Sequence, residues 1–494
     1  MVPYFIGLDL GTTGARGVAI DSDGRIAARA ATTYALHTPR PGWTEQNPDD
    51  WWDATVDVLR RLQAEIGDRI EGIGLTGQMH GAVFLDEEGQ SIRPAILWND
   101  QRTAGAAREI DRIVGTQLLQ RIAGNAALTG FQAPKILWLR ANEPANYTRL
   151  RAVLLPKDFI RFKLSGAYAS DASDASGTLL LDLRARDWSP ELLDALDLKR
   201  EWFPPVFESP EICARTDAAA AKTTGLTQGT PIVAGAGDNA AAAIGSGAVR
   251  SGIGLISLGT SGVVLAHSDE PVIDPSGALH AFCGAVPGSY HLMGVMLAAG
   301  GSLRWFRDTL GRDESYDELT KLANEVPAGS LELFFLPYLS GERTPHMNPF
   351  ARAAWIGLSL AHTRAHMLRS VLEGVAFGLN DALVRMRALG VRPQELVSTG
   401  NGMNSTLWRS ILSAVFQIPL RPLLVDEGAA CGAALLAAVG AGAFASVEDA
   451  VAKAVVLADS AISPDPQLEK TYAEAYETFT RLYPAIAPIA FTNT

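Results

Sequence analysis

Asp9-Leu10-Gly11-Thr12-Thr13-Gly14 returns almost half a chain later as Ser257-Leu258-Gly259-Thr260-Ser261-Gly262. In each copy one apolar run leads in and another leads out, so each turn joins two predicted strands. Glycine lets backbone N–H groups crowd a ligand, and threonine or serine adds hydroxyls, a combination that suits phosphate oxygens. Two such turns can hold one nucleotide from both sides. The copies differ at their first position, aspartate against serine. Only Asp9 can therefore offer a carboxylate to Mg²⁺, which makes it the expected metal-binding residue and points to an enzyme rather than a symmetric scaffold.

Outward from the first turn, residues 4–10, 16–21 and 25–33 read as three successive strands, the last two joined by Asp21-Ser22-Asp23-Gly24. A helix is predicted over 49–66, with Trp52, Val56, Leu59 and Leu62 on one face, and a buried strand over 70–76. The second half repeats this order. Residues 254–258 and 262–267 flank the second turn; a long helix over 363–389, a strand over 395–399 and a helix over 404–416 follow. Residues 111–231 read as a helical insertion with joints at Pro134, Pro156, Pro190 and Pro204-Pro205. Strands followed by alternating helices and strands predict an α/β fold. The domain boundary falls near 245–252, giving an N-terminal domain over 1–246 and a C-terminal one over 247–494.

A chain of 494 residues exceeds what one core usually supports, which agrees with two domains. Its formal charge of −12 argues against a nucleic-acid or anionic-membrane partner. A phosphorylated ligand must then be held locally. Cys213, Cys283 and Cys431 stand far apart with no metal spacing, the N-terminus lacks signal-peptide features, and a cytoplasmic protein with reduced thiols is expected. Residues 428–447 carry no charge, but their alanine and glycine content predicts a helix packed tightly on a sheet rather than a membrane span.

Gly235-Ala236-Gly237-Asp238-Asn239-Ala240 follows an apolar strand and opens an alanine-rich helix, placing Asp238 at a helix N-terminus. It serves there either as a cap or as a catalytic base. Met79-His80 ends the strand from Ile70, and Trp98-Asn99-Asp100-Gln101-Arg102 ends another apolar run. Strand ends in α/β sheets gather ligand contacts. Amide, imidazole and carboxylate groups beside an indole ring suit a small sugar. The plainer alternatives are a core histidine at His80 and a surface ion pair between Asp100 and Arg102.

Together with Gly77 to Gly81 and Glu427 to Ala437, these stretches resemble the FGGY carbohydrate kinases. Ala133-Pro134-Lys135, Leu155-Pro156-Lys157-Asp158 and Asp174-Ala175-Ser176-Gly177-Thr178 are similar to the branch of that family acting on xylulose. The resemblance implies two ribonuclease-H-like, actin-related domains with a central cleft, transfer of the γ-phosphoryl group of ATP to a sugar hydroxyl, and a homodimer. Carried over, Asp238 is the general base and Asp9 positions Mg²⁺. Thr12, Thr13, Gly259 and Thr260 line the phosphates; Met79, His80, Trp98, Asp100, Asp238 and Asn239 face the sugar; Gly301, Gly400, Gly402 and Asn404 lie by the nucleotide. D-xylulose is the implied acceptor, with another ketopentose, a pentitol or gluconate as the near alternative. An actin-like or chaperone-like ATPase is the alternative from another class.

Overall fold

The computed structural model describes residues 3–311 and 313–491. Each half is built on a sheet. In the N-terminal sheet, Tyr4–Leu10 pairs antiparallel with Gly14–Asp21, which pairs antiparallel with Ile26–Thr33. On its other side Tyr4–Leu10 runs parallel to Ile70–Gly77, and Pro231–Val233 continues beyond. The C-terminal sheet repeats the arrangement, with Ile253–Leu258, Gly262–Ser268 and Tyr290–Met296 antiparallel in turn, and Glu395–Thr399 and Leu420–Pro422 parallel on the far side. The duplicated turn thus sits at the same corner of both sheets. Its register is tight: Leu10 pairs with Ala15 in one copy and Leu258 with Gly262 in the other.

Helix Pro48–Ile66 packs across the first hairpin. Asn47 caps it, accepting from the Asp49 N–H, and Pro48 fits the first turn, where no N–H is needed. Its buried face centres on Trp51, Val58, Leu59 and Leu62. Trp52, expected on that face, is only partly buried and lies by Lys163. The expected insertion falls within the N-terminal sheet, between Ile70–Gly77 and Pro231–Val233, and begins earlier than its expected start, with helices Ala104–Val114, Thr116–Ala123, Gln132–Asn142 and Pro156–Ser165 among short strands.

Helix Gly428–Gly440 belongs to the second half in sequence and to the first in space. It lies against Tyr4–Leu10 and Ile70–Gly77, and crosses helix Asp238–Ser246. Glycines permit this closeness: a Cβ on Gly74 would stand 1.9 Å from the Ala433 carbonyl oxygen, and one on Gly432 would stand 1.9 Å from that of Ala241. The expected boundary at 246/247 follows the end of helix Asp238–Ser246, yet the core does not divide there. Among the described residues no helix is long and apolar enough to cross a membrane, and the uncharged run is spent on this packing.

Gly74→Ala is expected to cost about 3 kcal/mol of stability, the upper end of core overpacking, because backbone rather than a flexible side chain blocks the new methyl. Gly105→Ala supplies the control. No atom lies within 4 Å of its added Cβ, and in helix Ala104–Val114 it should gain up to about 1 kcal/mol. Denaturant midpoints of the two variants check both signs.

Candidate active site

Strands Tyr4–Leu10 and Ile70–Gly77 end together, with Asp9 beside Thr76 and Leu10 beside Gly77, and Ala236-Gly237 pairs with Thr76-Gly77. This register brings Asp9, Met79, His80 and Asp238 to one edge of the sheet. Asp238 opens helix Asp238–Ser246, but the capping position belongs to Gly237. One oxygen of Asp238 accepts from the Asn239 backbone N–H at 2.7 Å and from the Asn239 amide at 2.8 Å, leaving the other free. Burial, then the Asp9 carboxylate, push Asp238 up to about 7. Burial likewise raises Asp9 to about 6 against the pull of Arg16, and its Oδ1 is buried without a hydrogen-bond partner. Two carboxyl groups poised near neutrality side by side fit proton transfer next to a cation.

Below this edge lies a buried ionic cluster. Lys157 Nζ stands 2.6 Å from Asp158, 2.7 Å from Asp171 and 3.4 Å from Asp174, all in the interior. Burial and the neighbouring carboxylates raise Asp174 well above the usual range, with Lys157 only partly opposing them. Asp171 accepts from the Ser173 hydroxyl, and Ser173 Oγ in turn accepts from the Gly237 N–H at 3.1 Å. Arg161 donates to the Ala234 carbonyl. The segment carrying Asp238 is therefore gripped from beneath at two backbone atoms.

The expected sugar residues divide. His80, at φ 68°, directs Nδ1 to the Gly177 carbonyl at 2.6 Å; burial holds its pKa well below the usual value, so the ring is neutral and Nε2 keeps a lone pair. Lys135, placed in the resemblance but given no role, donates to the His80 carbonyl at 2.8 Å and fixes that strained residue. Trp98 donates from Nε1 to Thr12 Oγ1 at 3.0 Å, tying the indole to the phosphate turn. Met79 is buried, filling the space between Gly177 and Gly237. Asp100 requires correction: it is fully buried, and its oxygens are taken by Arg102 and the Thr44 N–H. It shapes the Trp98 loop rather than facing a hollow. Nor is its pair with Arg102 a surface one, since the Arg102 guanidinium lies 3.7 Å from the Trp43 ring centroid.

In the C-terminal half, Gly259, Thr260, Gly402 and Asn404 line a cavity of about 530 Å³. Gly300 lines it in place of Gly301, whose N–H is given to the Thr260 carbonyl at 2.9 Å. Gly400 makes the turn beneath, at φ 89°, pressed on Leu258. Thr13 is exposed and Thr12 half-buried. Arg304, which sequence reasoning missed, donates to Thr260 Oγ1 at 2.6 Å from the second turn of helix Gly300–Leu310. The halves meet where Asn125 donates to the Ala281 carbonyl at 2.8 Å and Cys283 N–H donates to Ser176 Oγ at 3.2 Å.

Residues 4–245 match the N-terminal domain of the FGGY family of carbohydrate kinases, and residues 254–441 match its C-terminal domain. The chain belongs to the FGGY carbohydrate kinases. The two α/β halves and the cleft between them are those of that family and of the wider actin-related ATPases. The chain is 39% identical over 485 residues to a xylulose kinase of Lactococcus lactis, spanning 97% of this chain and 96% of the relative. A xylulose kinase structure from Rhodospirillum rubrum superposes with a TM-score of 0.93 at 31% identity, covering 99% of this chain and 100% of that one. A gluconate kinase structure from Lactobacillus acidophilus superposes with a TM-score of 0.95 at 28% identity over 99% of both chains.

Proposed function

We propose that this FGGY kinase transfers the γ-phosphoryl group of ATP to a terminal hydroxyl of D-xylulose, giving D-xylulose 5-phosphate and ADP in the cytoplasm. What carries the reading is a carboxylate with one free oxygen at a helix start, Asp238, beside a second carboxylate with an orphaned oxygen, Asp9. The choice of sugar rests on near full-length likeness to xylulose kinases. Asp238 accepts the proton of the attacking hydroxyl, and Asn239 orients it. His80 offers Nε2 to a sugar hydroxyl while its Nδ1 stays committed to Gly177. The Gly259-Thr260 turn and the cavity behind it receive the nucleotide, with Arg304 set against Thr260.

Asp9 Oδ1 is the atom that fits Mg²⁺: a buried carboxylate oxygen with no protein donor is costly unless a cation meets it. Mg²⁺ bound there would neutralise charge spreading over the transferring phosphoryl group. Asp9→Asn should require higher Mg²⁺ for half-maximal activity, read by titrating metal at fixed ATP. An unchanged titration would remove Asp9 from the metal.

The decisive experiment for function is Mg²⁺-dependent ADP formation across ketopentoses, pentitols, glycerol and gluconate, followed by locating the phosphorylated carbon. D-xylulose should give the highest kcat/KM. Preference for gluconate would move the substrate towards the Lactobacillus acidophilus likeness and leave the chemistry standing. ADP release indifferent to sugar would favour a chaperone-like ATPase. A homodimer is the proposed assembly, to be read by light scattering.

A further inference from the structure

Arg343 enters the sugar-facing wall from the opposite half of the chain. Its Nη2 lies 3.4 Å from where a Cβ on Gly130 would sit, and Gly130 in turn abuts the Trp98 carbonyl. Its charge is felt by His80, Lys135 and His280. The rings around it also come from both halves. His80 packs edge-on to Phe131 with centroids 4.8 Å apart, and Phe282 of strand His280–Cys283 lies 5.9 Å from His80.

Among the described residues the Arg343 guanidinium has neither a hydrogen-bond acceptor nor a carboxylate partner, and none of its nitrogens is sealed from solvent. The adjacent Glu342 does not fill that role. Burial pushes it up to about 8, and its Oε1 accepts from the backbone N–H groups of Leu297 and Arg343. The backbone around Arg343 is nonetheless firmly placed, since Thr344 exchanges hydrogen bonds with Val295 and donates to the Ala278 carbonyl. A clamped, half-buried guanidinium left without acceptors is a donor set waiting for a ligand. Burial keeps the neighbouring His80 and His280 rings neutral, so neither of them supplies an acceptor charge, and an oxygen-rich ligand suits the guanidinium. From Asp238 the wall runs through Met79, which touches Gly237, to His80 and then Gly130, which puts Arg343 at the far end from the base.

We propose that Arg343 is a specificity-determining residue for the sugar, donating hydrogen bonds to the carbonyl and hydroxyl oxygens at the end remote from the phosphorylated carbon. The inference rests on the D-xylulose reading and deepens it. Because the donor belongs to the C-terminal half and His80 to the N-terminal half, a sugar long enough to touch both links the two halves on binding. Glycerol, which is shorter, would not.

The test compares D-xylulose with 1-deoxy-D-xylulose in the wild type, Arg343→Leu and Arg343→Lys. The wild type should prefer D-xylulose by tenfold or more in kcat/KM. Arg343→Leu should raise the KM for D-xylulose by about 10- to 100-fold, with the KM for ATP within twofold, and bring the preference towards one. Arg343→Lys, which keeps the charge without the planar fork, should fall between. The proposal is overturned if the wild type shows no preference, or if Arg343→Leu leaves it unchanged, whether or not both activities drop. Should the wild type reject D-xylulose outright, the substrate reading fails instead, and the same comparison on the accepted polyol and its terminal deoxy analogue decides the role of Arg343.

Discussion

Replacing Asp238 with asparagine should lower kcat by about 10²- to 10⁴-fold, the range lost when a positioned general base is removed. Asparagine preserves the side chain's size but cannot take a proton from the sugar. The wild-type pH profile should report the same group: kcat/KM falls as pH drops through about 7, where the base of the free enzyme becomes protonated. Asp9 is one source of that raised value, so in Asp9→Asn the acid limb should move to lower pH. Stability should run the other way. Folded Asp238 at about 7 and Asp9 at about 6 both exceed their ordinary 3.8, so the stability they confer is present below that value and lost as pH rises through 6 to 7. Asp238→Asn should therefore match the wild type at pH 4 and melt higher than it at pH 8. Near wild-type turnover in this variant would leave Asp238 no role as a base.

The largest stability effect is expected at Lys157. Lys157→Met leaves Asp158, Asp171 and Asp174 buried with only Arg161 nearby, and breaking a buried ionic cluster from one side typically costs about 3–5 kcal/mol. The deficit should shrink from pH 8 to pH 5, because carboxylates deprived of their cation can take up protons more cheaply in acid. Adding Asp171→Asn to Lys157→Met should recover part of the loss by removing one unmatched charge. Denaturant midpoints at both pH values decide this. A deficit independent of pH would mean that Lys157 acts through packing alone. Activity should fall further than stability, since Asp171, through Ser173, holds the Gly237 N–H next to the base.

What could be read from sequence was whatever is local and repeated. The twin turns, their flanking strands and the start of the helix at Asp238 depend on residues a few positions apart, and glycine and hydroxyl spacing encodes them. Gly428–Gly440 was legible as a tightly packed helix because only small residues permit such closeness, but the sheet it joins was not written in its own segment. Strand Tyr290–Met296 escaped notice, its apolar run broken by His291 and Gly294. Asp100 looked like a ligand because its sequence neighbours are polar. Its fate is set by Thr44 and by Arg102 wedged against Trp43, contacts more than fifty residues away in the chain. Arg304 and Arg343 were invisible for the same reason, each gaining meaning only beside a partner element that sequence order separates from it.

The late helix Gly428–Gly440, lodged against the earliest strand through Gly7 and against Ile70–Gly77 through Gly74, also has a bearing on biosynthesis. A nascent chain halted at residue 246 would display a sheet with all its strands but one apolar face bare until nearly all of the polypeptide has left the ribosome. Maturation of the opening segment thus awaits the closing one, and a gene split at the midpoint should yield two insoluble fragments that regain solubility only when synthesised together.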